Sequence, residues 1–260
     1  MAMLRGMGAF LLVLCAGTSL ASTIGTPRTE FRARYSLSST GRVVVQNLYG
    51  DVEITAWDRD EVLVRATKHS ADPRRLDDAQ VVVDSSDGLV SIHTQYTGAD
   101  AEHPASVEYH IMVPRRANLE QVRLINGGLS LNGLAGPVKA SSVNGSIRAD
   151  RMEGETELST VNGRLEADFL RVSRCHAISL KSVNGPIRVS LPAGAGATVS
   201  AQNLSGGIEA DFGRPWRAPN GHRLEASVNG GGAAIRLQNT NGGISIQSLA
   251  VWSKRIRPSS

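Results

Sequence analysis

From residue 29 onward, apolar and polar positions alternate with period two in short runs, separated by turn residues. Val43 and Val45, then Val52, Ile54 and Ala56, then Val62 and Val64, read as strands. Val81 and Val83, followed by Leu89, Ser91 and His93, give another pair around Ser85-Ser86-Asp87-Gly88, and Leu76 to Ala79 reads as a short helical turn. Val107, Tyr109, Ile111 and Val113 form a clean strand that stops at Pro114, where the ladder loses a donor.

Beyond this point the pattern becomes periodic. Asn126-Gly127, Asn144-Gly145 and Asn162-Gly163 follow one another at equal intervals. The interval from Asn162-Gly163 to Asn184-Gly185 is longer, which places a small insertion at residues 171–176. Alternating runs precede the last three of these pairs (Val138, Ala140, Ser142; Thr156, Leu158, Thr160; Ile178, Leu180, Ser182). An apolar residue stands two places after the glycine of the same three copies (Ile147, Leu165, Ile187). Asn203 to Ile208, Asn229-Gly230 and Asn241 to Ile244 continue the theme more loosely. The run from Tyr109 through Pro114 to Leu131 resembles the run from Pro186 through Pro192 to Ala210, as a partial duplication would.

A fixed period of this length signals a repeat architecture. The pattern predicts an all-β fold, a parallel β-solenoid of short strands with Asn-Gly turns. An antiparallel β meander or sandwich, each Asn-Gly closing a hairpin, is the alternative. Asn126, Gly127, Asn144, Gly145, Asn162, Gly163, Asn184 and Gly185 are expected as structural turn and ladder residues. Glycine and asparagine tolerate positive φ, and stacked amides can bond one another. Val138, Ala140, Ile147 and Ala149 are assigned to the interior. The expected organisation is a signal peptide at 1–21, a linker at 22–28, an N-terminal β segment capping the stack at 29–97, the repeat at 107–248 and a basic tail at 249–260.

The N-terminal assignment follows from Arg5, the apolar run Ala9 to Ala16 and the small-x-small site ending at Ala21. The apolar run is too short to span a bilayer. Export to the periplasm or cell surface is the expectation. Leu14 before Cys15 argues against a lipid-attachment cysteine. Cleavage would leave Cys175 as the one cysteine, expected to be a small buried hydrophobe near a corner.

Composition supports a thin aliphatic core. Aromatics make up 4% of the chain against 27 glycines, and the formal net charge of +4 is spread along it, giving no basis for nucleic-acid binding. The Asn-Gly-x-Ile-x-Ala-Asp units, the strand–Pro–small link at Leu191 to Ala197 and the export signal resemble the bacterial putative-adhesin family of β-strand-repeat domains, over about Arg42 to Ile246. The resemblance implies a β-solenoid, an exported location and no established catalytic residues.

Candidate chemistry is sparse. Asp150, Asp168 and Asp211 each follow an alanine, with Glu166 and Glu209 two places before the latter two. Repetition at one repeat position predicts a solvated stripe, with sugar or Ca²⁺ contact as the sharper reading and a carbohydrate-active lyase or hydrolase as the enzymatic alternative. The histidines are scattered, no metal motif or catalytic elbow occurs, and no cofactor is expected. Trp57, Trp216 and Trp252 could stack on sugars or pack at an edge; Trp216, in a loop between Pro215 and Arg217, is the foremost ligand candidate. These features point to a non-enzymatic envelope protein binding an extended partner, a polysaccharide or a surface protein, with the oligomeric state left open.

Overall fold

The computed structural model describes residues 28–97, 104–212, 215–217 and 221–249. The segment expected to be a signal peptide, Cys15, Trp252 and the expected basic tail beyond 249 lie outside the described residues. The described chain is all β apart from one 3-10 turn, Pro73–Leu76, capped by Asp72.

The first strands are β1 (Arg28–Ser36), β2 (Arg42–Tyr49), β3 (Val52–Trp57), β4 (Glu61–His69), β5 (Ala79–Ser86), β6 (Leu89–Tyr96) and β7 (Ser106–Pro114). The periodic region supplies β8 (Asn118–Asn126), β9 (Leu129–Asn132), β10 (Val138–Asn144), β11 (Ile147–Met152), β12 (Thr156–Asn162), β13 (Leu165–Phe169), β14 (Ile178–Asn184) and β15 (Ile187–Pro192). The last are β16 (Ala197–Ser205), β17 (Ile208–Asp211), β18 (Pro215–Arg217), β19 (Arg223–Val228), β20 (Ala233–Asn241) and β21 (Ile244–Leu249).

They form two mixed sheets, mostly parallel. One has eleven strands in the order β1-β4-β7-β3-β9-β11-β13-β15-β21-β17-β18, the other ten in the order β19-β16-β20-β14-β12-β10-β8-β2-β6-β5. The Asn-Gly corners at Asn126, Asn144, Asn162, Asn184 and Asn241 pass the chain from the ten-stranded sheet to the eleven-stranded one, and the loops after β9, β11 and β13 return it. A layer is therefore one strand from each sheet, and the repeat period sets one layer on the last. The registers show this directly: Asn126, Asn144 and Asn162 are partners across β8, β10 and β12, while Leu129, Ile147 and Leu165 are partners across β9, β11 and β13. The antiparallel alternative is overturned in the repeats, because β10 and β12 run parallel and the strands flanking Asn144-Gly145 lie in different sheets.

Alternation does the rest. Ile147, Ala149, Leu165, Ala167, Ile187 and Val189 from one sheet meet Val138, Ala140, Leu158, Ile178 and Leu180 from the other in a single buried core. Each fully buried Leu or Ile contributes about 1.5–3 kcal/mol. Among the described residues the fully buried aromatics are Tyr109 and Phe169, with Phe31, Tyr35, Tyr96 and Phe212 packed against the core from its margin.

At each end the layers are closed by antiparallel strands. β5 pairs β6, and β4 pairs β7 with β1 outside it; at the other end β19 pairs β16 and β18 pairs β17. The N-terminal segment does not all lie at its end of the stack: β2 and β3 sit between β6/β7 and β8/β9. Likewise β20 and β21 slot between β14/β15 and β16/β17. Cys175 departs from expectation. It is exposed in the loop between β13 and β14, its Sγ 3.0 Å from Ser173 Oγ, because the insertion bulges into solvent instead of packing.

Candidate binding face

The corner between the sheets carries a row of amides. Asn144 Nδ2 donates to Asn126 Oδ1 at 2.9 Å, Asn162 to Asn144 at 2.8 Å, Asn184 to Asn162 at 2.9 Å and Asn241 to Asn184 at 2.9 Å. All four bonds point the same way along the stack, so their dipoles add. Parallel, in-register strands one spacing apart are what allow it. The row stops at Tyr49, partner of Asn126, and at Ser205, partner of Asn241.

The glycines beside this row serve a second purpose besides their turn chemistry. Gly163, Gly185 and Gly242 have positive φ, at +156°, +143° and +136°, whereas Gly127 and Gly145 do not. Their role is close approach: a Cβ on Gly145 would strike the carbonyl of Gly127, and one on Gly163 the carbonyl of Gly145. One residue type thus lets backbones touch at the corner of each layer.

A second, inner row was missed by sequence reasoning. Ser142 Oγ donates to Gly127 O at 3.2 Å, Thr160 Oγ1 to Gly145 O at 2.9 Å, Asn239 Nδ2 to Gly185 O at 3.0 Å and Asn203 Nδ2 to Gly242 O at 2.7 Å. At the N-terminal end Asn47 Nδ2 reaches Val107 O at 2.8 Å, and Thr94 joins Asn47 Oδ1 to Tyr109 Oη. These buried side chains satisfy carbonyls that face the core at the corner. The signal was present: Asn47, Ser142, Thr160, Asn203 and Asn239 each stand three places before a glycine.

The wall of the eleven-stranded sheet holds the charged residues. One register row crosses eight strands: His110, Glu53, Ser130, Arg148, Glu166, Arg188, Ser245 and Glu209. Eight strands at about 4.8 Å spacing extend roughly 34 Å. His110 Nδ1 lies 2.9 Å from Glu53. Glu166 is met by three guanidinium groups, Arg148 at 3.0 Å, Arg164 at 3.5 Å and Arg188 at 3.7 Å. Asp150 is held by Arg148 at 2.8 Å. The Arg148 guanidinium is raised above its ordinary pKa, first by the hydrogen bond to Asp150, with the Asp150, Glu166 and Asp168 charges adding to it.

The sheet therefore brings Asp150, Glu166 and Asp168 onto neighbouring strands and leaves Asp211 apart on β17, with β15 and β21 between. The stripe is not purely acidic, because arginines alternate with the carboxylates. Glu166 and Asp150 are engaged in ion pairs, an arrangement unlike a pair of acids whose surroundings push their proton affinities apart. The arginines were overlooked although Arg148 and Arg188 directly follow, and Arg164 directly precedes, the buried aliphatic of its layer. Trp216 lies in β18, whose backbone pairs with β17. Trp57 Nε1 donates to Glu61 O at 2.8 Å and the Arg59 guanidinium lies 5.2 Å from its ring centre, so this face is covered by the chain itself.

Two open grooves follow the charged row. One, of about 390 Å³, is lined by Glu53, His110, Ser130 and Arg148 together with Asp51 and Glu108. The other, of about 280 Å³, is lined by Arg164, Glu166, Arg188, Ser245 and Glu209. Among the described residues no group of three His, Cys, Asp or Glu is placed to hold a metal ion. No helix among them is long and apolar enough to cross a membrane.

No family model matches the sequence, and no curated protein matches it. Structural neighbours include proteins named as adhesins or cell adhesion proteins. A putative cell adhesion protein from Clostridium sporogenes is 12% identical, with 85% of this chain and 100% of that chain covered and a TM-score of 0.47. A putative adhesin from Bacteroides fragilis is 9% identical, covering 85% and 97%, with a TM-score of 0.38. A putative lipid binding protein from Parabacteroides distasonis is 10% identical, covering 85% and 97%, with a TM-score of 0.33.

Proposed function

We propose that the chain is an exported, non-enzymatic cell-envelope protein, adhesin-like, built as a β-solenoid that binds an extended envelope polysaccharide along the outer wall of its eleven-stranded sheet. One observation carries this reading: both grooves lie along the same charged row, which repeats donors and acceptors at strand spacing. A polymer laid parallel to the stack would meet a polar or charged side chain at each strand, the kind of extended surface that repeat folds offer. Arg148, Arg188 and Ser130 can donate to hydroxyl or carboxylate oxygens, and Glu53 and Glu209 can accept from hydroxyls. The apolar segment before Ala21 would take the protein through the inner membrane and be removed.

The test is binding of the full mature chain to a glycan array and to polysaccharide extracted from bacterial envelopes, beside the double variant Arg148→Ala/Arg188→Ala. Binding by the wild type that the variant lacks is expected. Blank results with all polysaccharides, with a surface protein captured instead, would replace the polysaccharide by a protein partner. Cleavage of a polysaccharide abolished by Asp168→Asn would turn the reading toward an enzyme.

A further inference from the structure

We propose that Asn229 is a site of spontaneous deamidation that loosens the C-terminal end of the stack, while the asparagines of the corner row are shielded from the same reaction. The chemistry needs only water. The backbone nitrogen of the following glycine bonds to the asparagine Cγ and gives up its proton, and the side-chain nitrogen leaves as ammonia. The resulting succinimide is opened by water at either carbonyl to aspartate or isoaspartate. The attacking nitrogen must be free, and Cγ must be able to swing onto it.

Seven Asn-Gly pairs lie within the described residues. In six the glycine N–H is already committed to an adjacent layer: Gly127 to Asn144 O, Gly133 to Asp150 O, Gly145 to Asn162 O, Gly163 to Asn184 O, Gly185 to Asn241 O and Gly242 to Ser205 O, all between 2.9 and 3.0 Å. Five of those six asparagines are also held by the amide row, and the sixth, Asn132, by Arg151. Reaction there requires neighbouring layers to part.

The seventh pair differs. Asn229 and Gly230 form the centre of a tight turn with φ of +47° and +80°, closed by Gly231 N donating to Val228 O at 3.0 Å. Both residues are exposed, and the space a Gly230 side chain would occupy is open. The Gly230 N–H has no backbone acceptor among the turn and loop bonds. The Asn229 amide is tethered, its Nδ2 donating to Ala193 O at 3.1 Å and Ala195 O at 2.9 Å. Its release breaks two surface hydrogen bonds and leaves the layers intact. Those two bonds also define the consequence. They tie the turn after β19 to the loop before β16, and deamidation sets a carboxylate against two carbonyl oxygens, where neither can donate.

The experiment incubates the folded full mature chain at mildly alkaline pH and maps tryptic peptides by mass spectrometry. Residues 224–236 carry Asn229 alone, 140–148 carry Asn144 alone and 182–188 carry Asn184 alone. A parallel incubation in urea removes the fold. Conversion at Asn229 at least about tenfold faster than at Asn144 and Asn184 in the folded protein, converging in urea, is expected from the local opening each site requires. The Asn229→Asp variant should melt below the wild type. Equal rates in the folded protein, or slow ladder peptides that stay slow in urea, would overturn the proposal, as would a variant with wild-type melting. None of these readouts depends on polysaccharide binding.

Discussion

Gly163→Val tests the close approach of two layers at one corner. Gly163 lies at the corner between β12 and β13, and a Cβ there would meet the Gly145 carbonyl carbon at 2.6 Å and the Ser146 nitrogen at 2.9 Å, with the Gly145 oxygen nearer still. All three atoms are backbone and cannot rotate away. The layers must separate locally, which breaks the Gly145 N–H bond to Asn162 O, the Thr160 Oγ1 bond to Gly145 O and the Asn162–Asn144 amide bond. At about 1 kcal/mol net for each bond the loss is about 3 kcal/mol. Forcing a β-branched residue to a φ of +156° adds roughly 1 kcal/mol. A chain of this size loses about 2–4 °C of melting temperature per kcal/mol, so calorimetry should show a fall on the order of 8–16 °C. Gly207→Ala is the control, because nothing lies within 4 Å of its Cβ and its φ is not positive. It should change stability by no more than about 0.5 kcal/mol. A Gly163→Val protein melting within about 2 °C of the wild type would refute the close approach, since a smaller shift than one lost bond cannot accommodate the clash.

Asn162→Ala removes both a donor to Asn144 and an acceptor from Asn184, and should cost about 1–2 kcal/mol in urea unfolding, whereas Asn241→Ala at the end of the row loses one such bond and should cost about half. Burial pushes the Tyr109 phenol up to about 12, against the opposing pull of its bond to Thr94, and burial likewise raises Tyr96. The unfolded chain loses these protons near 10.0 while the native chain keeps them, so this stability is fully present below pH 10.0 and declines as pH climbs toward 12. Tyr109→Phe should flatten that decline in pH-dependent melting. Arg148→Ala should shift unfolding by less than about 1 kcal/mol, because its ion pairs are exposed, and the measurement that should respond is polysaccharide binding.

The sequence made the layer legible because period and burial coincide. Asn126, Asn144 and Asn162 recur at equal intervals since each interval is one circuit of the two sheets, and each slip of register would turn Ile147 or Leu165 outward. Hydrogen-bond partners beyond the period were harder to see. Ser142, Thr160 and Asn239 look like turn-flanking polar residues in a linear reading, and only the neighbouring layer reveals the carbonyls they cap. The acidic stripe was half visible: Glu166 and Asp168 alternate in the chain, but the arginines that neutralise Glu166 across the sheet come from β11, one layer before it, and β15, one layer after. Gly145 stands at the corner that turn chemistry predicts but without positive φ, because what demands glycine there is the approach of the Gly127 carbonyl, and steric approach between layers leaves no trace in local propensity.

The loosening of the period at both ends has a structural cause. Pro114 ends β7 and Pro192 ends β15, and each is followed by a short link, Arg115 to Ala117 or Ala193 to Gly196. At the first link the chain steps from the layer β6/β7 past β2/β3 to build β8/β9. At the second it steps from β14/β15 past the position of β20/β21 to build β16/β17. The similarity between the two sequence runs thus marks two equivalent jumps over one layer. The slot passed over is filled by a segment from the respective chain end, residues 42–57 or 233–249, in parallel register with both neighbours. A stack assembled only in order would leave its terminal layers joined to one neighbour each and free to peel away. Here each terminal layer, β6/β7 or β16/β17, clamps a layer drawn from the distant chain and is itself covered by antiparallel strands. Fraying at either end must therefore break pairing that spans long stretches of sequence, which couples the ends to the cooperative unfolding of the whole. The same covering strands run antiparallel to their neighbours, which ends the parallel register of the stack at both ends.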